Sequence, residues 1–94
     1  MRFEWDDEKN RLNLKRHKIR FETAVLAFDD PYAVTIPDRL HDEDERRFIT
    51  LGRVEGQVIL FVVHLSFEAS GEEVIRLISA RKATAYEKKI YEKA

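Results

Sequence analysis

The stretch Val74-Ile75-Arg76-Leu77-Ile78-Ser79-Ala80-Arg81 decides the fold. Its apolar and β-branched residues predict a strand. The capping-box pattern Thr84-Ala85-Tyr86-Glu87 then predicts the start of a helix. Regular alternation would place Arg76 and Arg81 on opposite faces of this strand. Arg81 would lie at the end of a central strand beside a helix N-terminus, where a rigid element holds its charged group near solvent.

Outward from this stretch, the chain predicts an α+β domain built on an antiparallel sheet, with the helices packed on one side of it. The sheet is a four-strand meander, with Phe3–Trp5 as a short additional N-terminal edge strand. Two N-terminal helices precede the meander and one C-terminal helix follows it. The predicted segments are helices from Asp6 to about His17 and over Phe21–Phe28, strands over Tyr32–Ile36, Arg47–Gly52 and Val58–Phe67, and connections over 41–45, 54–57 and 68–72. The last helix should direct Ala83, Tyr86 and Ile90 inward.

Length and composition exclude several classes of protein. The 94 residues make one domain, and no run of about 18 apolar residues is present to span a membrane. Residues 5–8 are too polar for the apolar part of a signal peptide, so we expect a cytoplasmic protein. There is no cysteine, and the three histidines lack the spacing of metal ligands, so we predict neither a metal nor a cofactor. A core this small favours a permanent protein partner.

The net charge of −1 conceals a strong segregation of charge along the chain. Residues 9–20 carry six basic side chains and no acid, whereas residues 22–45 carry eight acids and a single base. The basic segment would suit a phosphate backbone. It could equally be a solvated helix face, because bases near a helix C-terminus complement the helix dipole.

Several short motifs, taken together, resemble those of the BrnT toxin family. They are Phe3-x-Trp5-Asp6-x-x-Lys9-x-x-x-Asn13, His17-x-Ile19-x-Phe21-Glu22-x-Ala24, Phe28-x-Asp30-Pro31, Arg47-Phe48-Ile49-x-Leu51-Gly52, Gly56, and Ile75 to Arg81 followed by Ala83, Glu87 and Tyr91. The resemblance covers nearly the whole chain, and the order and spacing of the motifs make it specific. Lys18 departs from the pattern, because the family often has glycine after the histidine.

The resemblance implies a ribonuclease toxin of a bacterial type II toxin–antitoxin system, with a RelE-like fold, that inhibits translation. It also implies neutralisation by a BrnA-type antitoxin, through which DNA would be bound only indirectly. The alternative is a non-catalytic, toxin-like binding module that pairs with an antitoxin or a DNA-binding partner. Growth arrest on induced expression, with and without the partner, would separate the two hypotheses.

Cleavage of RNA without a metal requires a proton acceptor for the 2′-hydroxyl, cations for the dianionic phosphorane and a proton donor for the leaving oxygen. Arg81 and Arg47 are the first candidates for the phosphate, because one guanidinium binds two phosphate oxygens. Arg76 is a third candidate, unless it only pairs with an acid or lies along the sheet surface. His64 is the candidate acid or base, with a hydrogen-bonded role in the core as the alternative.

Contacts to RNA are predicted at Lys9, Lys15, Arg16, His17 and Tyr91. His17 could instead complete the C-terminus of its helix, and Tyr91 could pack in the core rather than stack on a base. Glu87 is predicted to be the capping-box partner of Thr84 rather than a catalytic group.

Overall fold

The computed structural model describes residues 1–39 and 46–94, so the polar connection predicted over 41–45 lies outside the described residues. The described elements are β1 (Arg2–Glu4), α1 (Asp7–His17), α2 (Phe21–Ala24) with a 3-10 turn (Val25–Asp29), β2 (Val34–Pro37), β3 (Arg47–Val54) with a 3-10 turn (Glu55–Gln57), β4 (Val58–Ala69), β5 (Glu72–Lys82) and α3 (Ala85–Lys93). None of the helices in this part of the chain has the length and apolar character that a membrane span needs.

The sheet has the strand order β1-β5-β4-β3-β2. The four strands from β2 to β5 pair antiparallel with their neighbours in the chain, which confirms the predicted meander. The short strand β1 pairs in parallel with β5, so the sheet is mixed and the prediction of an antiparallel sheet is wrong in this respect. Alternation over three residues predicts which side chains share a face of the strand, but it does not predict the partner strand or its direction.

The helices lie on both faces of the sheet, which corrects the prediction that they pack on one side. One core cluster joins α2 and the 3-10 turn that follows it to β4 and β5, and includes Phe21, Leu60 and Leu77. A second cluster joins α3 to β3 and β4 through Leu51, Ile59, Ala83 and Tyr91, with Ile90 packed against it.

The side chains of α3 that face the sheet differ from the prediction at one residue. Ala83 and Ile90 pack inward as predicted, whereas Tyr86 is 74% exposed. The side chains of Glu87 and Tyr91, one turn apart, make the polar contacts that dock the helix, through Arg81 and Asp30. The inward stripe of α3 therefore follows Glu87 and Tyr91, and Tyr86 is turned towards solvent.

Polar contacts fix both ends of α1. The Asp6 side chain accepts hydrogen bonds from the backbone N–H groups of Glu8 and Lys9, as an N-cap does. At the other end Lys18 has φ 62° and its N–H donates to the Leu14 carbonyl. The helix-ending turn is thus present although a lysine holds the left-handed conformation, which glycine adopts at lower cost.

A β-bulge in β5 changes the pattern of the stretch that decides the fold. Val63 pairs with Ser79 and His64 pairs with Leu77, so Ile78 is the extra residue. One extra residue shifts the alternation, and Arg76 and Arg81 come to lie opposite Leu65 and Phe61, which share a face of the unbroken strand β4. The prediction that the two arginines lie on opposite faces is therefore wrong.

Candidate active site on the open face of the sheet

The three predicted arginines share one face of the sheet, which we call the open face and define by Arg47, Arg76 and Arg81. Arg47 and Arg76 both lie opposite Leu65, one on each side of β4. Their Cα atoms are thus separated by two strand spacings, roughly 10 Å. Arg81 lies further along β5, opposite Phe61, near the end of the face that α3 covers. The sheet register therefore brings together side chains that the sequence identified only one at a time.

Carboxylates hold the first two arginines in place. Arg47 Nε donates to Asp38 Oδ2 at 2.9 Å, and the Asp38 side chain is only 6% exposed. Arg76 Nη1 donates to Glu4 Oε2 at 2.9 Å, across the parallel pair of β5 and β1. The ion pair that was the alternative for Arg76 is thus present in the structure. These pairs orient both guanidinium groups and also neutralise their charge.

Arg81 is held more firmly than the other two. Its Nη1 and Nη2 atoms donate to the two carboxylate oxygens of Glu87 at 2.8 and 2.9 Å, and its guanidinium carbon lies 4.0 Å from the centre of the Phe61 ring. The hydrogen bond with Glu87 raises the pKa of Arg81, and the same bond lowers the pKa of Glu87. The arginine therefore remains charged and paired.

Glu87 also completes the capping box of α3. Its Oε1 accepts from the Thr84 N–H at 2.8 Å, and its own N–H donates to Thr84 Oγ1, which confirms the predicted capping role. The sequence predicted a phosphate between Arg81 and this helix N-terminus. In the structure a carboxylate of the chain occupies that position, so a phosphate must displace Glu87 or approach Arg81 from its exposed side.

His64 lies in the core, on the face of the sheet opposite to the arginines. The residue is 2% exposed, and its ring lies between the rings of Phe28 and Phe48. Its Nε2 is 2.7 Å from Thr50 Oγ1. Burial lowers the pKa of His64 to about 4, so the ring is neutral at pH 7. The geometry matches the core role that the sequence left as the alternative to catalysis.

The residues predicted to contact RNA divide into two groups. Lys9, Arg16 and His17 line a cleft of about 280 Å³ between α1 and β5. Lys15 is exposed on α1 and is not part of the lining of that cleft. Tyr91 is 7% exposed and its hydroxyl donates to Asp30, so its ring packs in the core. Core packing was the alternative to the predicted stacking on a base.

Sequence reasoning missed the role of Asn13, which interrupts the apolar pattern of α1. Its Nδ2 donates to the carbonyls of Ile19 and Ala80 at 2.9 Å each, and its Oδ1 accepts from the Ala80 N–H at 3.0 Å. The side-chain amide thus takes the place of a neighbouring strand at the edge of β5, just after the bulge. Asparagine is unfavourable inside helices, and this is the signal in the sequence for such a contact.

A mixed sheet that carries three oriented arginines on one face, beside a cleft lined by basic side chains, defines a small α+β protein suited to a polyanionic ligand. Within residues 1–39 and 46–94, no three His, Cys, Asp or Glu side chains are grouped as metal ligands. A family model described as "Ribonuclease toxin, BrnT, of type II toxin-antitoxin system" matches residues 5–87. The chain therefore belongs to the BrnT family of ribonuclease toxins, as the motifs of its sequence predicted.

A solved structure supports the same assignment. The crystal structure of the Brucella abortus ribonuclease toxin, BrnT, is similar to this chain with a TM-score of 0.67 and 26% sequence identity. The match covers 89% of this chain and 97% of the Brucella chain. A comparison with curated proteins gives no match.

Proposed function

We propose that this chain cleaves RNA on the open face of its sheet, without a divalent metal, and thereby inhibits translation. The observation that carries the proposal is the bulge at Ile78, which brings Arg81 to the same face as Arg47 and Arg76. Membership of the BrnT family supports the reaction class. The catalytic roles of the individual residues are part of the proposal.

In the proposed reaction the 2′-oxygen attacks the adjacent phosphorus, so that a bond from O2′ to phosphorus forms and the bond from phosphorus to O5′ breaks. The phosphorane between these two steps carries more negative charge than the substrate. Arg47 and Arg76, on the two strands that flank Leu65, would turn from their carboxylates to stabilise that charge, and Arg81 would do so from further along β5. Glu4, which is 35% exposed beside Arg76, is the candidate acceptor of the 2′-hydroxyl proton, because His64 is buried on the other face, and the leaving O5′ takes a proton from water.

The partner follows from the family rather than from the geometry. A type II toxin implies an antitoxin, and we propose a BrnA-type protein that neutralises this chain and binds DNA for the complex. The same proposal includes a cytoplasmic location and a RelE-like fold. A non-catalytic binding module is the second candidate, and the carboxylate that neutralises each arginine favours it.

Cleavage of a defined RNA by the purified protein in EDTA tests the proposal. Arg81→Ala should lower the cleavage rate by about 10², the scale for removal of one preorganised charge-stabilising donor. Arg81→Lys should restore little, because a point charge cannot replace a two-pronged guanidinium. Arg11→Ala is the matched control, since Arg11 pairs with Glu8 on the exposed side of α1.

The variant Glu87→Gln separates catalysis from structure. Glutamine keeps the capping box but releases the charge of Arg81, so activity should be retained or raised if Arg81 binds phosphate. If Arg81 is only a structural partner of Glu87, both variants should lose activity in parallel with their melting temperatures. Full activity of Arg81→Ala, or activity that EDTA abolishes and Mg²⁺ restores, would contradict the proposal. No growth arrest and no cleavage by the unmodified chain would favour the binding module.

A further inference from the structure

The cleft between α1 and β5 lies at a gap in the sheet edge. The strand β1 ends at Glu4, opposite Arg76, and the side chain of Asn13 pairs with Ala80 further along β5. Between these two points the described residues place no strand beside β5 on the side away from β4, and the bulge at Ile78 falls there. We name this gap the edge cleft. It has a volume of about 280 Å³ and is lined by Lys9, Leu12, Asn13, Arg16, His17, Ile78 and Ser79.

The basic side chains of the edge cleft are not neutralised by any side chain in the described part of the chain. Lys9 and Arg16 lie two turns apart along one side of α1, with His17 next to Arg16, and none of the three makes an ion pair within residues 1–39 and 46–94. This distinguishes them from the arginines of the open face, each of which is bound by a carboxylate. Like charges on one side of a helix are unfavourable, and a bound anion would relieve that repulsion.

The cleft also offers an unused hydroxyl donor. The side chain of Ser79 makes no hydrogen bond in the described part of the chain, although it lies partly buried in the cleft wall. A hydroxyl beside two or three cations is a common arrangement for phosphate oxygens, since it donates a hydrogen bond while the cations supply the charge.

Ser79 belongs to both the edge cleft and the open face. Ser79 lines the cleft and also pairs with Val63 in the centre of the sheet, because the bulge turns it to that face. Arg81 follows two residues later, about 7 Å along a strand that rises about 3.3 Å per residue. A polyanion held in the cleft would therefore pass directly onto the face that carries the arginines.

We propose that the edge cleft binds a backbone phosphate of the RNA strand, one or two nucleotides away from the phosphate that is cleaved. Lys9 and Arg16 supply the charge and Ser79 donates to a phosphate oxygen. The contact positions the strand without reading its bases, because every element of it is directed at the phosphate. This inference rests on the proposed function for the identity of the polymer.

The test measures binding separately from cleavage. A short 2′-O-methyl RNA lacks the nucleophile, so it reports binding alone by fluorescence anisotropy over a series of salt concentrations. The double variant Lys9→Ala with Arg16→Ala should reduce the slope of log K against log salt by about 0.7, because the cleft holds one phosphate of a single strand. On cleavable RNA the same variant should raise KM and leave kcat nearly unchanged.

A second double variant is the matched control. Arg20→Ala with Lys93→Ala removes the same charge at two exposed positions outside the cleft. Its slope should stay close to that of the unmodified protein. An unchanged slope for the cleft variant, or an equal fall for both variants, overturns the proposal, because the binding would then not be located in the cleft.

A third measurement uses a poly-glutamate peptide of the same charge as the oligonucleotide. Weaker binding of the peptide, with no difference between the two double variants, is the expected result. If the peptide binds as tightly and loses as much in the cleft variant, the cleft is a site for an acidic protein partner and the proposal fails. The outcome is independent of the catalytic arginines, since a cleft that binds 2′-O-methyl RNA would stand even if Arg81→Ala retained full activity.

Discussion

The substitution Asn13→Asp should destabilise the protein by about 3 kcal/mol at pH 7, although it only replaces the amide NH2 group by an oxygen and hardly changes the volume of the side chain. The Asn13 amide nitrogen donates to the carbonyls of Ile19 and Ala80 at 2.9 Å each. In the variant an oxygen faces both carbonyl oxygens at that distance. The hydrogen bond from the Ala80 N–H to the other oxygen is retained. The change thus isolates the donor side of the amide.

The magnitude follows from the surroundings of the side chain. Asn13 is 5% exposed, so water replaces the lost donor poorly. Each buried polar group left without a partner costs about 1–3 kcal/mol, and two carbonyls are affected. A loss of about 3 kcal/mol is a large part of the 5–15 kcal/mol typical of a domain, and it should lower the melting temperature by roughly 12–24 °C at this size.

The destabilisation should also depend on pH in a defined direction. Burial and the two facing carbonyls should raise the pKa of the new carboxyl in the folded state above its unfolded value of about 3.9. The protonated carboxyl can donate to one carbonyl, so the loss is smallest at pH values below the unfolded pKa. It grows as pH rises through the folded pKa, because the folded state must then hold a buried anion.

Thermal melts at several pH values between 4 and 8 provide the measurement, and each variant is compared with the unmodified protein at the same pH. Asn10→Asp is the control, since the Asn10 oxygen accepts from the Phe21 N–H and its nitrogen donates only to the exposed Glu22. That variant should melt within a few degrees of the unmodified protein. The reasoning is refuted if Asn13→Asp melts as high as the control at pH 7, or if its deficit does not grow with pH.

Three further predictions concern packing, proton binding and the attachment of α3. Gly52→Ala should cost about 1–3 kcal/mol in thermal melts, because a Cβ there would lie 2.8 Å from the Ala27 Cβ and closer still to the Ala27 carbonyl oxygen. His64 should make the free energy of unfolding fall as pH drops from the unfolded pKa of about 6.5 towards the folded value of about 4, by about 3 kcal/mol in total. Chemical denaturation at several pH values in this window should show a weaker dependence on pH for His64→Gln. An identical pH dependence would contradict a buried neutral ring. Tyr91→Phe should cost about 1–2 kcal/mol by loss of the hydrogen bond to Asp30, and a melt unchanged by the substitution would show that this bond does not hold α3.

The meander was predictable from the sequence because each of its strands is bounded by clear turn signals. The face of Arg81 was not, since Leu77 and Ile78 are adjacent apolar residues and either could belong to the buried face. The structure buries Leu77 and makes Ile78 the extra residue of the bulge. Alternation rules assume an unbroken ladder, so a bulge within such a run reverses every later assignment.

The ion pairs of the candidate site could not be predicted from local sequence patterns either. Composition and spacing identified the arginines, but the acids that bind them come from distant parts of the chain. Glu4 lies 72 residues before Arg76 and reaches it only because β1 pairs in parallel with β5. Pairings of this kind depend on strand order, which local patterns do not contain.

Cations that are paired with a carboxylate are expected to act at a different stage from cations that have no such partner in the described residues. The unpaired cations would attract RNA from a distance, and the paired ones would act in the cleavage step. An arginine that is bound to a carboxylate attracts a distant polyanion weakly, because the field of the pair falls off faster than that of a single charge and salt screens it beyond about 10 Å. Lys9 and Arg16 in the edge cleft are not paired with any carboxylate of the described residues, so they would contribute to the long-range attraction. In the proposed mechanism the paired arginines would gain importance only when a phosphate is in contact and its charge increases in the transition state. Substitutions in the cleft should therefore appear in the salt dependence of binding, and substitutions of Arg81 in the rate of cleavage at saturating RNA.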